Sequence, residues 1–138
     1  MELSNVEVVT RALAAFESTG FADIEPFIAW VTEDVELRSA IVGGAEGNVY
    51  RGHDGIREWA REVTDAFDDL HLIAEEFREV SDVVVGLGHV KARGGASRLE
   101  LDVPSGWVVA VRDGRIAWMH GYLEHEAALE AAARVPRE

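Results

Sequence analysis

Apolar residues at helical spacing predict three helices in the first half of the chain. Ser4 and Glu7 form an S-x-x-E capping box ahead of a helix that ends at Gly20. Asp23 can cap a second, shorter helix and Asp54 a third. The three apolar stripes comprise Val6, Val9, Leu13 and Phe16; Ile24, Phe27, Ile28 and Val31; and Ile56, Trp59, Ala60, Val63 and Phe67.

Alternation of apolar and polar residues predicts strands over most of the remainder. The predicted strands are residues 35–39, 70–80, 83–93, 97–111 and 116–123, with a glycine-rich loop at 41–48 and a closing helix at 124–133. Helices followed by long antiparallel strands predict an α+β fold, a cone-shaped barrel in which a curved antiparallel sheet wraps around the N-terminal helices. We expect a cavity at the open end of this cone.

The clearest turn signal is the dipeptide Asp113-Gly114, which separates two apolar runs. Both residues take positive φ at low cost, so they can form a two-residue type I′ turn in which Arg112 pairs with Arg115. Alternatively, residues 112–114 form a three-residue loop with Gly114 in the left-handed conformation of a bulge. We favour the three-residue loop because it keeps two like charges from facing each other.

The length of this loop decides which side chains face the inside of the cone. Alternation over residues 98–103 directs odd positions inward, and the same parity extends to Trp107. The three-residue loop adds Met119 to the inner face and turns Trp118 and His120 outward, whereas the two-residue turn brings both inside. Because the outer face near the hairpin is also apolar, we expect a homodimer packed through the sheet.

Composition narrows the classes of partner. The chain has 138 residues, 48% of them apolar, which is the size of one domain with a core of its own. Its net charge of −13 argues against nucleic acid and anionic membranes as partners. Met1-Glu2 does not resemble a leader and no run could span a membrane, so a cytoplasmic protein is expected. The absence of cysteine excludes disulfides and thiol chemistry.

The predicted inner surface is an apolar wall with few polar points. Such a wall suits a small apolar or aromatic molecule, flat or ring-containing and uncharged. The predicted ligand-binding residues are Trp30, Leu37, Ser39, Tyr50, Trp59, Val63, Trp107, Val109 and Met119. For Trp59 a role as core filler is favoured, whereas Tyr50 and Trp107 are balanced between core and ligand contact.

Three histidines are the catalytic candidates, because imidazole titrates near neutral pH. His53 precedes the third helix and is expected mainly to cap or orient it. His89 faces inward only if the turn at Gly94 has three loop residues. His120 faces outward under the favoured hairpin loop, where it would lie in a subunit interface; Glu124 or His125 could orient it.

No motif for a metal or cofactor is present in the sequence. There is no H-x-H or H-E-x-x-H, and no two histidines stand four apart on a predicted helix, so no metal site is predicted. Gly86-x-Gly88 lies within a strand and lacks the third glycine and the helix of a dinucleotide fingerprint. We interpret these two glycines as packing sites that let a helix approach closely, and we predict no cofactor.

The order of the elements and several short segments resemble the SnoaL-like branch of the nuclear-transport-factor-2-like superfamily. The segments are Phe21-Ala22-Asp23-Ile24-Glu25, Thr32-Glu33-Asp34-Val35, Tyr50-Arg51-Gly52-His53-Asp54-Gly55-Ile56, Arg112-Asp113-Gly114-Arg115-Ile116 and the ending Tyr122-Leu123-Glu124-His125-Glu126-Ala127-Ala128-Leu129-Glu130-Ala131. The resemblance covers nearly the whole chain and implies one SnoaL-like domain, residues 1–138. It also implies a cone-shaped α+β barrel, commonly a dimer packed through the sheet.

The resemblance does not carry a particular activity with it. The superfamily includes ketosteroid isomerases, polyketide cyclases, epoxide hydrolases, dehydratases and non-catalytic binders. Its steroid isomerases use a tyrosine in helix one and two aspartates, and here helix one has no tyrosine while the aspartate positions fall on or near Ser39 and Trp107. A serine cannot act as a general base unaided, and the tryptophan side chain can only donate a hydrogen bond through its N–H. The proton-transfer mechanism of the steroid isomerases is therefore excluded. The Asp-Arg-Asp set of the epoxide hydrolases has no clear counterpart either.

Three hypotheses follow. The first is a homodimer that binds a small, mainly apolar molecule. The second is an acid–base isomerase, cyclase or hydratase that uses a pocket histidine. The third is a dimeric assembly module in which Trp59 and Trp107 fill the hollow and no ligand binds. A pocket histidine beside a carboxylate would favour the second, and a filled hollow would favour the third.

Overall fold

Four helices and six strands make up the part of the protein that the computed structural model describes, residues 3–41, 49–94 and 100–135. Their order is α1 (Asn5–Thr19), α2 (Glu25–Ile28), β1 (Val31–Arg38), β2 (Val49–Arg51), α3 (Gly52–Ala66), β3 (Phe67–Val80), β4 (Val83–Gly94), β5 (Glu100–Arg112), β6 (Arg115–Tyr122) and α4 (His125–Ala133). A 3₁₀ turn, Gly20–Ala22, separates α1 from α2. The α+β class is confirmed.

The six strands form one curved, open sheet in the order β2-β1-β6-β5-β4-β3. Neighbouring strands are antiparallel, with the exception of β1 and β6, which run parallel. The prediction of antiparallel pairing therefore misses this one pair. No hairpin joins β1 to β6, since most of the chain lies between them, so no local turn sets their relative direction.

Helices α1 and α3 pack against the inner face of the sheet and build the main core. Their stripes interlock with inward residues of the strands, which is why the hydrophobic pattern predicted both elements. The buried residues of this core include Val9, Leu13 and Phe16 on α1, Ile56, Trp59 and Val63 on α3, and Val35, Leu37, Val84, Val90, Trp107, Val109 and Met119 on the sheet.

The starts of the helices agree only partly with the caps predicted from the sequence. The capping box is present, since the Glu7 N–H donates to Ser4 Oγ over 3.1 Å and the Ser4 N–H to Glu7 Oε1 over 3.2 Å. Helix α3 begins earlier than predicted, at Gly52, whose φ of 71° allows the sharp entry. Asp54 is therefore wrong as a cap; it lies in the first turn and binds Arg57.

The hairpin between β5 and β6 has a two-residue turn, so the favoured three-residue loop is wrong. Asp113 and Gly114 both have positive φ, 53° and 78°, and Arg112 pairs with Arg115. The argument from like charges failed because Arg112 has a partner outside the hairpin. Its Nη2 lies 2.7 Å from Oδ1 of Asp34.

A bulge in β6 nevertheless directs its side chains to the same faces of the sheet as the three-residue loop would have done. The register of β5 and β6 shifts by one residue at Ala117, which is left without a partner on β5. Beyond the shift Trp107 pairs with Gly121 and Val108 with His120. Trp107 is in the inner core, and His120 faces outward. The predicted division of inner and outer residues is confirmed, although its proposed cause is wrong.

Helix α4 covers part of the outer face that we expected a second subunit to cover. The residues of this second core are Val83, Val85, Leu87, Val108, Ala128 and Ala132. The helix approaches closely at Gly106, where an added Cβ would lie 2.6 Å from Cβ of Ala128. Part of the outer sheet is thus buried within one chain.

The glycines of β4 are packing sites, but they accommodate a strand and an indole rather than a helix. A Cβ on Gly88 would collide with the backbone carbonyl of Ile73 on the edge strand β3, near an irregularity in the pairing of these strands. A Cβ on Gly86 would lie 3.3 Å from the ring of Trp107. The predicted turn at Gly94-Gly95 and the start of the strand predicted from residue 97 lie outside the described residues.

Candidate functional site

A small void lies on the inner face of the sheet, where α3 meets β1, β3, β5 and β6. Its volume is about 20 Å³, which is room for roughly one water molecule. The described residues that line it are Leu37, Arg38, Ser39, Ala40, Ile41, Trp59, Leu72, Ser105, Trp107, Met119 and Gly121. The predicted hollow therefore exists, but side chains fill most of it.

Hydroxyl groups and one indole N–H supply the polar points of this void. Trp59 Nε1 donates to Ser39 Oγ over 3.1 Å, and the backbone N–H of Ile41 donates to the same oxygen over 3.2 Å. Ser105 Oγ donates to the Tyr122 carbonyl over 3.3 Å. No carboxylate is among the described residues that line the void. These groups can hold a neutral polar atom, and none of them is a general base at neutral pH.

An aromatic cluster packs around the ring of Trp59, which is one of the residues that line the void. The ring centroids of Phe21 and Trp59 lie 4.8 Å apart at an interplanar angle of 74°, and Phe16 stacks on Trp59 at 6.5 Å. Phe16 and Phe21 also make an edge contact with each other at 4.8 Å. Such pairs stabilise a fixed arrangement of rings. Trp59 is thus held at two points: its indole N–H donates to Ser39, and its ring packs against Phe16 and Phe21.

A much larger cleft, of about 630 Å³, lies between the ends of α1 and α3 and the start of β3. Its described lining is Phe16, Glu17, Ser18, Thr19, Gly20, Phe21, Ala22, Val63, Thr64, Phe67, Asp68, Asp69, Leu70, His71, Leu72 and Ile73. Leu72 lines both the cleft and the void. The cleft and the void therefore adjoin at Leu72.

The predicted ligand-binding residues divide into three groups. Those that line the void are Leu37, Ser39, Trp59, Trp107 and Met119, whereas Val63 lines the cleft. The remaining three, Trp30, Tyr50 and Val109, line neither. Val109 is 1% exposed, and the Tyr50 hydroxyl donates to Glu62 on α3. Trp30 is half-buried, and its carbonyl accepts from the Ile116 N–H over 2.8 Å. A side chain's predicted inward direction was therefore not enough to tell whether it lines a cavity or is packed in the core.

Two of the candidate histidines have structural partners. His53 lies in the first turn of α3, and its Nε2 is 3.4 Å from the carbonyl oxygen of Val31, which agrees with the predicted role in orienting that helix. His89 faces outward. Its Nδ1 lies 2.6 Å from Oδ1 of Asp102, and its Nε2 lies 3.6 Å from Oε1 of Glu75. Neither lines the void or the cleft.

The third histidine, His120, faces outward as the favoured hairpin reading predicted. Its partner is Glu36 on β1, with 2.8 Å between Nε2 and Oε2, rather than Glu124 or His125. The Trp118 ring lies beside it at 4.6 Å. The hydrogen bond from His120 is the main reason that the pKa of Glu36 is lowered, and Arg51 contributes through its charge. This pair is remote from the inner void.

Sequence reasoning missed the cleft, although one signal for it was present. Leu70 and Leu72 are buried on the inner side of β3, while Asp68, Asp69 and His71 are exposed around them. That alternation marks a half-buried strand end beside the helix termini. Within the described residues, no group of three or more His, Asp or Glu side chains is arranged to hold a metal, and no helix is long and apolar enough to cross a membrane.

The sequence and the fold of this chain are similar to those of known proteins. A family model described as a SnoaL-like domain matches residues 9–119. One similar solved structure is TerC co-crystallized with polyporic acid, which is 25% identical in sequence, with 93% of this chain and 97% of that chain covered and a TM-score of 0.73. A second is an NTF2-like protein from Burkholderia pseudomallei, 19% identical, with 96% and 100% of the two chains covered and a TM-score of 0.74. A third is a protein with a ketosteroid isomerase-like fold from Catenulispora acidiphila in complex with trimethylamine, 17% identical, with 96% of each chain covered and a TM-score of 0.70. No curated protein matches significantly.

Proposed function

Because the chain belongs to the SnoaL-like domain family, we propose that it binds a small, flat, mainly apolar molecule between its helices and the inner face of its sheet. The observation that carries the proposal is the junction at Leu72, where an open cleft meets a void lined by Trp59 and Trp107. The cleft volume of about 630 Å³ is in the range of small-molecule sites.

The ligand body lies in the cleft, and one end reaches toward the void. A void of about 20 Å³ admits no ring, so entry requires Leu72 or Trp59 to rotate. Rotation of Trp59 breaks its hydrogen bond to Ser39, and a polar atom of the ligand can replace that bond. This new hydrogen bond would offset the cost of leaving the Trp59 N–H and the Ser39 hydroxyl without each other.

The histidine-dependent enzyme has less support than binding. His53, His89 and His120 are outside the void and the cleft. His71 does lie beside a carboxylate in the cleft, 2.7 Å from Asp69, but both side chains are more than half exposed at its rim, where water reaches them. The module without ligand has support from the small size of the void. A binding experiment separates it from the proposal.

Calorimetric titration with two probes tests the proposal. Polyporic acid is chosen because TerC, 25% identical to this chain, was co-crystallized with it, and naphthylmethanol is a flat uncharged molecule. We expect saturable binding of at least one probe. Phe21→Ala removes an aromatic wall of the cleft and should weaken it about tenfold.

Leu101→Ala is the matched control, because Leu101 is exposed and lines neither the cleft nor the void. Its affinity should equal that of the wild type. Failure of both probes to bind the folded wild-type protein would refute the proposal and favour the module without ligand.

We further infer that two copies of the chain associate through the outer face of the sheet. The support is an aromatic strip on β6, defined by the half-exposed Trp118, His120 and Tyr122, beside which Leu123 is 43% exposed. Such a strip fits the self-complementary contact of a two-fold dimer. Trp118 and Tyr122 pack against the margin of the core beneath α4, and part of their surface stays exposed beyond the helix.

A further inference from the structure

The buried hydroxyl of Ser39 has one hydrogen-bonding capacity that the protein does not use. Ser39 directly follows β1 and is 5% exposed. Its oxygen accepts from Nε1 of Trp59 over 3.1 Å and from the N–H of Ile41 over 3.2 Å. A serine hydroxyl has two acceptor lone pairs and one donor hydrogen. Both lone pairs of Ser39 are therefore engaged, and the group can act further only as a donor.

The donor hydrogen of Ser39 faces the small void. No described residue accepts a hydrogen bond from this hydroxyl. A buried donor without an acceptor costs free energy, and nearly all buried donors in proteins therefore have one. Ser39 lines the void, whose volume of about 20 Å³ is enough for one small polar group. The void thus offers the room in which an acceptor can meet Ser39.

Gly121 on β6 provides part of that room. It lines the void beside Trp107, its pairing partner on β5. Its φ is not in the left-handed region, so its backbone does not require glycine. An added Cβ would come no closer than 3.6 Å to the surrounding residues. Neither backbone strain nor close packing explains the missing side chain, and its effect is space in the void.

The rest of the lining decides which kind of acceptor fits. No carboxylate is among the described residues that line the void, and Arg38 is its one charged member. Arg38 pairs in register with the outward-facing His120 and is itself exposed. A ligand carboxylate would therefore be buried without an opposite charge, which is costly. A neutral acceptor such as a carbonyl oxygen meets Ser39 without that cost.

We propose that Ser39 determines the specificity of the site, by donating its hydroxyl hydrogen to a neutral carbonyl oxygen at the buried end of the ligand. The apolar body lies in the cleft. Leu72, where cleft and void adjoin, moves aside, while Trp59 keeps its hydrogen bond to Ser39. This inference rests on the proposed binding function and adds the chemical class of the ligand, a flat neutral carbonyl compound.

Two probes of one shape test the donor. Acetylnaphthalene carries a carbonyl oxygen where isopropenylnaphthalene carries a methylene group, and the affinity of each for the full chain is measured by equilibrium dialysis. Water hydrates the ketone better than the alkene, so a site without a donor binds the alkene more tightly. We expect wild-type protein to bind the ketone about fivefold more tightly, because Ser39 replaces its hydrogen bond to water.

Variants of Ser39 assign the preference to its hydroxyl. Ser39→Ala should abolish it, so that the alkene binds at least as tightly as the ketone. Ser39→Thr keeps the hydroxyl and should keep the preference, although the added methyl group weakens the binding of both probes. Thr10→Val is the matched control, because it removes an exposed hydroxyl that lines neither the void nor the cleft, and it should change neither affinity.

Gly121→Ala locates the buried end of the ligand without disturbing the hydrogen bonds of Ser39. Its methyl group takes up room in the void and should weaken the binding of both probes about fivefold, with the midpoint of urea unfolding unchanged. Ser39→Ala also removes the acceptor of two N–H groups, so the same unfolding measurement verifies that this variant is folded.

Four results would overturn the role of Ser39. The first is equal or tighter binding of the alkene by wild-type protein, which leaves the proposed binding function intact. The second is a preference for the ketone that persists in Ser39→Ala, and the third is an unchanged affinity of both probes for Gly121→Ala. The fourth is failure of both probes to bind while polyporic acid or naphthylmethanol does bind. If none of the four molecules binds, the role of Ser39 and the proposed function both fail.

Discussion

At the scale of single residues, Glu36 shows how the outer surface is held together. It accepts from His120 over 2.8 Å and forms an ion pair with Arg51 at 3.0 Å, so one carboxylate joins β1 to both of its neighbours. These contacts lower the pKa of Glu36 below its usual 4.5. A carboxyl group whose pKa is lower in the folded than in the unfolded state stabilises the fold once it is ionised.

Glu36→Gln should therefore destabilise the protein in a pH-dependent way. At about pH 6 we expect a loss of no more than about 1 kcal/mol, since the pair is partly exposed. The difference should shrink as the pH falls below 4.5 and through the lowered pKa of Glu36. Urea unfolding of both proteins between about pH 3 and pH 7 measures it. Glu130→Gln serves as the control, and an equal loss at all pH values would contradict the prediction.

At the scale of elements, a close contact between two small residues helps to dock α4 on the sheet. Gly106 on β5 and Ala128 on α4 leave no room for a further methyl group between them. His125 contributes a second anchor, with its Nε2 2.6 Å from the carbonyl oxygen of Gly88. The helix can lie flat on the sheet because Gly106 and Ala128 are both small.

Gly106→Ala should lower the free energy of unfolding by about 1–3 kcal/mol, the usual cost of overpacking. Adding Ala128→Gly should restore part of this loss, because it removes the methyl group that the new Cβ meets. Gly121→Ala is the matched control, since its added Cβ would meet only ordinary contacts at 3.6 Å or more. Urea denaturation gives the values. An unchanged midpoint for Gly106→Ala would show that α4 packs more loosely.

At the scale of the whole molecule, the net charge opposes the association that we propose for the aromatic strip. A net charge of −13 keeps copies apart in general. The strip on β6 adjoins Arg38 and Arg51, which reduce the local negative charge around Glu36. The proposed association through this face therefore meets less charge repulsion than an association through the acidic cleft would.

Sedimentation velocity tests the dimer. We expect wild-type protein to sediment as a dimer at micromolar concentration and Trp118→Asp to sediment as a monomer, because a buried unpaired carboxylate opposes association. Leu101→Asp is the control and should leave the dimer intact, since Leu101 is 47% exposed at the start of β5, away from the strip. A monomeric wild-type protein would refute this assembly.

Local patterns predicted the elements and the direction of most side chains. The capping box at Ser4, the helical stripes and the alternation around Trp107 all depend on neighbours in sequence, and the structure confirms them. The division of β6 into inner and outer residues was also right. Its cause was a bulge at Ala117 rather than a longer loop, and such a bulge has no local signature.

The sequence by itself determined the fold class, the inner parity of the central strands and the lack of a carboxylate at Ser39 and Trp107, because these follow from residue type and from a period of two or 3.6. Only the tertiary structure decided that Arg112 pairs with Asp34, that α4 covers the outer sheet, and that the void is small while an acidic cleft lies beside it. These features join residues far apart in the chain, and their distances depend on packing that no local pattern encodes.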